Sequence, residues 1–461
     1  MSESPQPDLD IFRILLFRND ARELLLETAN EGLRLPSIEI PRYSRVGEEV
    51  TTAIEAHWGL TACCLFCLPE DASHPSRYQV AELYGRAACP AGMNWIPIVS
   101  VVESNLVEHS DFSAIQASLA AVASPCDDKR QRLFGKPGWL SAVTEWAEAQ
   151  VNAVGLHLTG KFRQFSNSPT FALFRFETDG PAVWFKAVGE PNLHEFSITT
   201  ELARLFPGFL PHVLGTRPEW HAWLALEAPG THLGKASTVA SWKTAAVALA
   251  QLQIASFGQA LHLIDAGCRD LRTYRLRLTL TPFLELATEL MARQTTSSPP
   301  PMSHGELQTL GSQIEDALEI LDNTAIVNTL GHADPNPHNL LVQQDGCVFL
   351  DWSEAFVGHP FLATAYLVEH LRRDPKDELW RTQVLDAYSA PWRLRFDRDK
   401  VIAALEVAPL LAAFAYADRI AASQQRALPV DAETTKLIRS LTRRMRREAE
   451  GLRAKDDLCK P

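Results

Sequence analysis

Between positions 330 and 354 the chain concentrates the residues whose types and spacing can do chemistry. It runs Leu330-Gly331-His332-Ala333-Asp334-Pro335-Asn336-Pro337-His338-Asn339, then the apolar Leu340-Leu341-Val342, the turn Gln343-Gln344-Asp345-Gly346, and Cys347-Val348-Phe349-Leu350-Asp351-Trp352. A polar loop, a short apolar strand, a glycine-containing turn and a second apolar strand predict a hairpin whose ends return to one place. Asn339 and Asp351 are then neighbours. Hard cations such as magnesium take oxygen ligands, and one amide oxygen with one carboxylate leaves coordination positions for nucleotide phosphates and water. Asp334, five residues before Asn339, stands beside that pair without needing to bind metal, placed to accept a proton from a hydroxyl.

This spacing resembles the catalytic loop and metal-binding Asp of the kinase superfamily, H-x-D-x-x-x-x-N followed by D. It is more closely similar to the aminoglycoside phosphotransferases and choline kinase-like small-molecule kinases, whose loop reads H-G-D-x-H-x-x-N and whose second motif begins as Asp351-Trp352 does here. The resemblance implies Asp334 as catalytic base, Asn339 and Asp351 as Mg2+ ligands, and His332 as the residue that braces the loop. It extends over residues 138 to 430 and implies more. Lys186, ending the apolar run Val183-Trp184-Phe185-Lys186, would reach the α- and β-phosphates of ATP or GTP. Glu201 on the following helix would orient that lysine, with Glu195 as the alternative. The stretch Trp223 to Gly230, including Glu227 and Ala228, resembles the connector whose backbone binds the adenine edge. Four departures qualify the match. Ala333 replaces the usual Gly, and Asn336 stands where small-molecule kinases carry His, which changes a γ-phosphate contact. No glycine-rich loop is present, so Ser166, Asn167 and Ser168 are the candidates for presenting backbone N–H groups to phosphate. The acidic residue that often supports the loop after the second motif falls in Gly358-His359-Pro360-Phe361-Leu362-Ala363, which has none.

The elements around these residues predict an α+β chain: a protein-kinase-like bilobal domain behind a smaller α/β domain. The bilobal domain has a β-rich N-lobe at 138–230 and a helical C-lobe with an acceptor-binding region at 231–461. Its first helix starts near Gly138, and the runs 170–176 and 182–188 form a hairpin through Asp179-Gly180. A Pro/Ser-rich loop at 294–306 precedes a helix at 307–322. Residues 126–137 read as a linker. Residues 1–125 contain a strand at 11–17, a turn at Asn19-Asp20, a partner strand, a helix at 47–57 stopped by Gly59, strands near 61–68 and 95–102, and a closing helix. This order resembles the Nudix hydrolase fold. The glutamate-rich Nudix helix would fall on Thr52 to Gly59, where the Arg and all three Glu positions are replaced. Without that carboxylate cluster the domain cannot hold the cations that neutralise a diphosphate, and it reads as catalytically dead.

Composition narrows the function classes. With 461 residues, 46% hydrophobic and 22% charged, the chain is long enough for more than one core. A formal charge of −12 argues against nucleic acid, whose recognition needs clustered Lys and Arg; the arginine run at 443–447 reads as a solvated helix face. No stretch approaches 18 consecutive apolar residues and the N-terminus is acidic, so no membrane span is expected and a cytoplasmic location follows by default. Cys63, Cys64 and Cys67 have no second ligand pair and read as a buried strand. His332, His338 and His359 lack zinc-hydrolase spacing. The sequence therefore points to transfer of the γ-phosphate of a nucleoside triphosphate to a hydroxyl or amine of a small molecule. Asp345, Glu354, Asp374, Glu378 and Asp386 would suit a cationic acceptor. The rival reading is a pseudokinase that holds a nucleotide or a partner.

Overall fold

The strand Leu9–Arg18 alternates its side chains between two cores. Phe12, Ile14 and Leu16 pack with Val50 and Ile54 of the helix Val46–Trp58, whereas Leu15 and Phe17 enter the second core. The computed structural model describes residues 8–69, 77–123, 133–168, 171–236, 238–371, 377–424 and 431–458, and within it the chain forms two compact units. The first unit takes residues 1–196 and 212–227, the second 197–211 and 228–461. The linker read at 126–137 lies partly outside the described residues.

In the first unit, Leu9–Arg18 pairs antiparallel with Glu23–Ala29 and Ser37–Pro41 and parallel with Arg77–Leu83. The last of these strands was missing from the sequence reading. Its sequence RYQVAEL buries Gln79 beside Val80 and Ala81, which blurs a period-2 pattern. The helix Val46–Trp58 ends where Gly59 takes φ +64°. Cys63 and Cys64 are buried in the strand Ala62–Cys67, and burial pushes both thiols up. A second, antiparallel sheet orders its strands as Val213–Arg217, Ala222–Leu226, Val183–Val188, Phe171–Thr178 and Leu158–Ser168. Its Phe174, Phe176, Val183 and Phe185 share a core with Leu15, Phe17 and Val80. Buried Gln164 fastens the two sheets: its amide accepts from the Cys64 N–H and donates to the Cys64 carbonyl, both at 2.8 Å. The N-terminal sheet and the sheet bearing Lys186 thus belong to one unit.

The second unit is helical around one core. The helix His304–Thr324 begins at a capping box of Ser303 and Glu306. At its centre the helix Arg398–Gln424 packs against its neighbours. By length and composition this helix could cross a membrane, but 67% of its most apolar window is buried in the unit, as in the core helix of a globular domain. The arginines of Ala432–Leu458 are engaged rather than merely solvated. Arg439 donates to the Leu290 carbonyl at 2.6 and 2.8 Å, near the end of the helix Thr273–Ala292, and Arg444 and Arg446 pair with Glu369 and Glu306. Two three-stranded sheets complete the unit. One orders Thr231–His232, Leu340–Val342 and Cys347–Phe349; the other orders Arg269–Leu271, Ala355–Gly358 and Thr329–His332.

Candidate active site

The strand Thr329–His332 delivers the polar loop, and Gly331 permits its close packing: a Cβ there would lie 2.1 Å from the Phe356 ring. Leu340 pairs with Phe349 across the hairpin, and the Leu350 N–H donates to the Asn339 carbonyl at 2.8 Å. Asn339 therefore lies opposite the residue that precedes Asp351, as the predicted hairpin requires.

His332 is fully buried and binds both arms of this arrangement. Its Nε2 meets the Leu350 carbonyl at 2.9 Å and its Nδ1 meets the Asp334 backbone N–H at 3.2 Å. A carbonyl can only accept and an N–H can only donate, so the ring must be neutral with its proton on Nε2. Burial lowers its pKa and favours that form. The ring also lies 4.6 Å, centroid to centroid, from that of buried Trp352. The brace thus fixes the backbone at Asp334 and immediately before Asp351.

Asn339 orients the carboxylate. Its Nδ2 donates to the carbonyl and to Oδ2 of Asp334, each at 3.2 Å. Both amide protons are directed at Asp334, which leaves the amide oxygen as the group available to a cation. Asp334 keeps Oδ1 for a proton. Asp351 has φ +59° and ψ +74°, a left-handed conformation uncommon outside glycine. The Ser353 hydroxyl donates to its Oδ1 at 3.1 Å, and the side chain is exposed. One amide oxygen and one carboxylate of this kind fit a magnesium ion that draws its other ligands from phosphate and water. No cluster of three or more His, Cys, Asp or Glu that could hold a metal occurs among the described residues.

Asn336 shapes the turn: its Oδ1 accepts the His338 N–H at 3.0 Å and its carbonyl accepts the Asn339 N–H at 2.7 Å, which leaves its Nδ2 protons as the group that could meet a γ-phosphate. The support that an acid near Ala363 would supply comes from elsewhere. Buried Gln253 and Tyr388 both donate to the Pro360 carbonyl, at 2.7 and 3.3 Å, and Tyr388 also donates to Gln253 Oε1 at 2.7 Å. Of the five carboxylates taken to favour a cationic acceptor, Glu354 is paired with Arg419 and Asp386 with Arg393, while Asp374 lies outside the described residues. Asp345 and Glu378 remain exposed.

In the first unit, Lys186 Nζ lies 2.5 Å from Glu195 Oε1, and the two side chains are 16% and 3% exposed. This corrects the assignment of Glu201. The helix His194–Leu205 starts one residue before Glu195, and at 100° per residue Glu201 lies some 240° further around it. Glu201 instead binds Arg204 and His262, and the Arg204 guanidinium holds its carboxyl at about 2. Lys186 also lies 5.6 and 5.7 Å from the ring centroids of Phe171 and Trp223.

Ser166 and Ser168 sit at the end of Leu158–Ser168, where that strand pairs with Phe171–Thr178. Their hydroxyls brace the hairpin: Ser166 Oγ accepts the Ser168 N–H at 3.2 Å, and Ser168 Oγ accepts the Phe171 N–H at 3.3 Å. The Ser168 N–H is therefore committed within the turn. Asn167 lies between them in the strand. Glu227 accepts two hydrogen bonds from Arg175, at 2.7 and 2.8 Å, and one from Trp184 Nε1 at 3.0 Å, and the Arg175 pair lowers its pKa. Its N–H donates to the Ala182 carbonyl at 2.8 Å. Glu227 thus anchors the strand, and the backbone of Ala228 is left as the connector's adenine-edge candidate.

Sequence reading did not reach the carbonyls of Leu350 and Glu354, which receive His332 and the Ala333 N–H. Backbone acceptors carry no residue-type signal. Glu195 had a signal in its place in the first helical turn, where a side chain reaches back toward the preceding strand.

Residues 195–402 match the phosphotransferase enzyme family. The match begins at Glu195, nine residues after Lys186, and contains Asp334, Asn339 and Asp351. No curated protein matches the sequence. Several solved structures resemble the chain at low identity. A choline/ethanolamine kinase family protein from Mesorhizobium loti is 15% identical over 66% of this chain and 98% of its own, with a TM-score of 0.43. The macrolide 2′-phosphotransferase MphH from Brachybacterium faecium is 17% identical over 64% and 100%, at 0.42. A choline kinase from Cryptosporidium parvum is 13% identical over 69% and 97%, at 0.47. The segment that matches the phosphotransferase family is the one that holds the loop, the hairpin and their supports, and a small-molecule phosphotransferase is what that match indicates.

Proposed function

We propose that the chain transfers the γ-phosphate of ATP or GTP to a hydroxyl of a small molecule. The observation that carries this reading is the hydrogen bond from Asn339 to Asp334, with the Asn339 backbone paired to Leu350, the residue before Asp351, inside the family segment. Asp334 would orient the acceptor hydroxyl and take its proton on Oδ1 while Asn339 holds Oδ2. Asn339 and Asp351 would hold Mg2+, which when bound neutralises phosphate charge. Lys186, held by Glu195, would bind the phosphates of the nucleotide as a point charge. The acceptor is a small molecule; Asp345 and Glu378 are the exposed carboxylates that favour a cationic one. The buried thiols of Cys63, Cys64, Cys268 and Cys347, outside any disulfide, suit a reducing, cytoplasmic location.

The Nudix-like reading of residues 1–125 is part of the same proposal. It is supported by a mixed sheet with a parallel pair against one helix, and by Glu48 of that helix being paired with Arg163. In this reading the region handles no phosphate of its own.

The test is magnesium-dependent consumption of ATP and GTP with a panel of amino sugars, amino alcohols and sugars, for the natural chain and Asp334→Ala. Turnover that needs both an acceptor and Asp334 is expected. Nucleotide binding without turnover on any acceptor would overturn the reading in favour of a nucleotide-binding module.

A further inference from the structure

The helix Arg398–Gln424 is almost uncharged over its second half: from 407 to 424 its charged residues are Asp418 and Arg419 alone. Both are paired, Arg419 with Glu354 and Asp418 with Arg269 of the neighbouring strand. Arg419 Nη1 binds the Glu354 carboxylate, three residues after Asp351, and the guanidinium stacks 4.9 Å from the Tyr416 ring centroid. Asp418 receives Arg269 Nη2 at 2.8 Å, and Arg269 Nη1 donates to the Ala415 carbonyl at 3.3 Å. Arg269 in turn pairs in register with Phe356, two residues beyond Glu354. Two ion pairs of opposite direction therefore tie this turn of the helix to the start of the strand Ala355–Gly358.

Glu354 passes the constraint to the base. Its carbonyl accepts the N–H of Ala333 at 3.1 Å, and Ala333 is the neighbour of Asp334. His332 closes the circuit from the other side, through the Asp334 N–H and the Leu350 carbonyl. Glu354 is thus held at its side chain by the helix while its backbone holds the loop.

We propose that Arg419 is a positioning residue for phosphoryl transfer: by holding Glu354, it sets the distance between the base, Asp334, and the metal ligand, Asp351. Arg419 is given no contact with substrate. Its role is to keep the 351–355 segment and the 332–334 segment in register while the loop changes partners during turnover. The kinetic part of this proposal rests on the phosphotransferase reading above; the structural part stands without it.

The test uses the full chain with Arg419→Ala, Arg419→Lys and, as a control that breaks a pair elsewhere on the same unit, Arg393→Ala. Hydrogen–deuterium exchange over 333–355 should rise about tenfold in Arg419→Ala, with exchange in the helix Arg398–Gln424 unchanged. kcat should fall about a hundredfold, while the KM for nucleotide stays within about twofold and the magnesium requirement rises. Arg419→Lys, which keeps the charge, should recover most of both effects, and Arg393→Ala should change neither. If Arg419→Ala fails to fold, Glu354→Gln, which keeps the shape and loses the ion pair, gives the same readouts. Unchanged exchange over 333–355, or a loosened loop with unchanged kcat, would overturn the proposal. Absence of turnover in the natural chain would overturn the phosphotransferase reading alone, because the exchange measurement still decides whether Arg419 holds the loop.

Discussion

In the second unit, Asn339 hydrogen-bonds Asp334 and its backbone pairs with the residue before Asp351; along the helix Val46–Trp58 of the first, the carboxylates part company. Glu48 is taken up by Arg163, and Glu55 is exposed. The difference lies in the backbone as much as in the residue types. Asp334, Asn339 and Asp351 are brought together by strand register, by an Asn336 turn and by a buried histidine that joins the two arms. A single helix has none of these devices and gathers carboxylates only through i, i+3 and i, i+4 spacing. Glu48 and Glu55 are seven apart, and the positions three and four beyond Glu48 are Thr51 and Thr52.

The most severe way to sharpen this contrast is to remove one carboxylate from each region. Asp334→Ala should lower kcat by about a thousandfold or more with nucleotide binding retained, whereas Glu55→Gln should leave turnover within about twofold. A comparable loss from Glu55→Gln would break the comparison. Next, Asp351→Asn keeps the shape and the left-handed conformation but weakens the cation ligand. A magnesium titration of nucleotide turnover should show a half-saturating concentration raised about tenfold or more. Two glutamates of one helix then separate the Lys186 pair from its neighbour. Glu195→Gln should raise the KM for nucleotide about tenfold, because it weakens a largely buried charge pair, and Glu201→Gln should leave it within about twofold, because Glu201 serves Arg204 and His262 on the surface.

The smallest effect concerns stability. Burial lowers the His359 pKa to about 3, and its Nδ1 accepts the Phe361 N–H at 3.4 Å, which requires the neutral ring on that side. The folded pKa lies below the unfolded one, so the unfolded chain takes up the proton first. Stability from this group is complete above pH 6.5 and falls as the pH drops from there towards 3. In His359→Asn, chemical denaturation between pH 6.5 and 4 should show a slope reduced by about 1 kcal/mol per pH unit. An unchanged slope would mean that the buried ring carries no such penalty.

Much of this organisation is legible in the sequence because it is local. The hairpin 340–349, the turn at Asn19-Asp20, the helix stop at Gly59 and the strand that presents Lys186 all follow from period-2 or helical patterning with turn residues at the ends. What escaped detection depends on residues far apart in the chain. The Gln164 bond to Cys64 spans 100 positions, and Arg419 to Glu354 spans 65. Glu195 and Glu201 were both visible as acids on the right helix, but the choice between them depended on where the helix begins, and a boundary is the least determined part of a periodic pattern. The turn made by Asn336 uses the His338 backbone N–H, which has no signature in residue type.

Asp351 combines two demands that are usually met by different residues. At φ +59° the backbone admits Gly, Asn and Asp with little penalty and disfavours branched or bulky side chains, while cation binding admits a carboxylate. The two filters overlap in a single amino acid. In a saturation library at this position, abundance of folded protein and turnover should therefore sort the variants differently: Gly would persist as a well-folded but inactive chain, Asn as a folded chain that turns over only at raised magnesium, Glu would keep the charge and lose the fit, and aspartate alone would pass both selections.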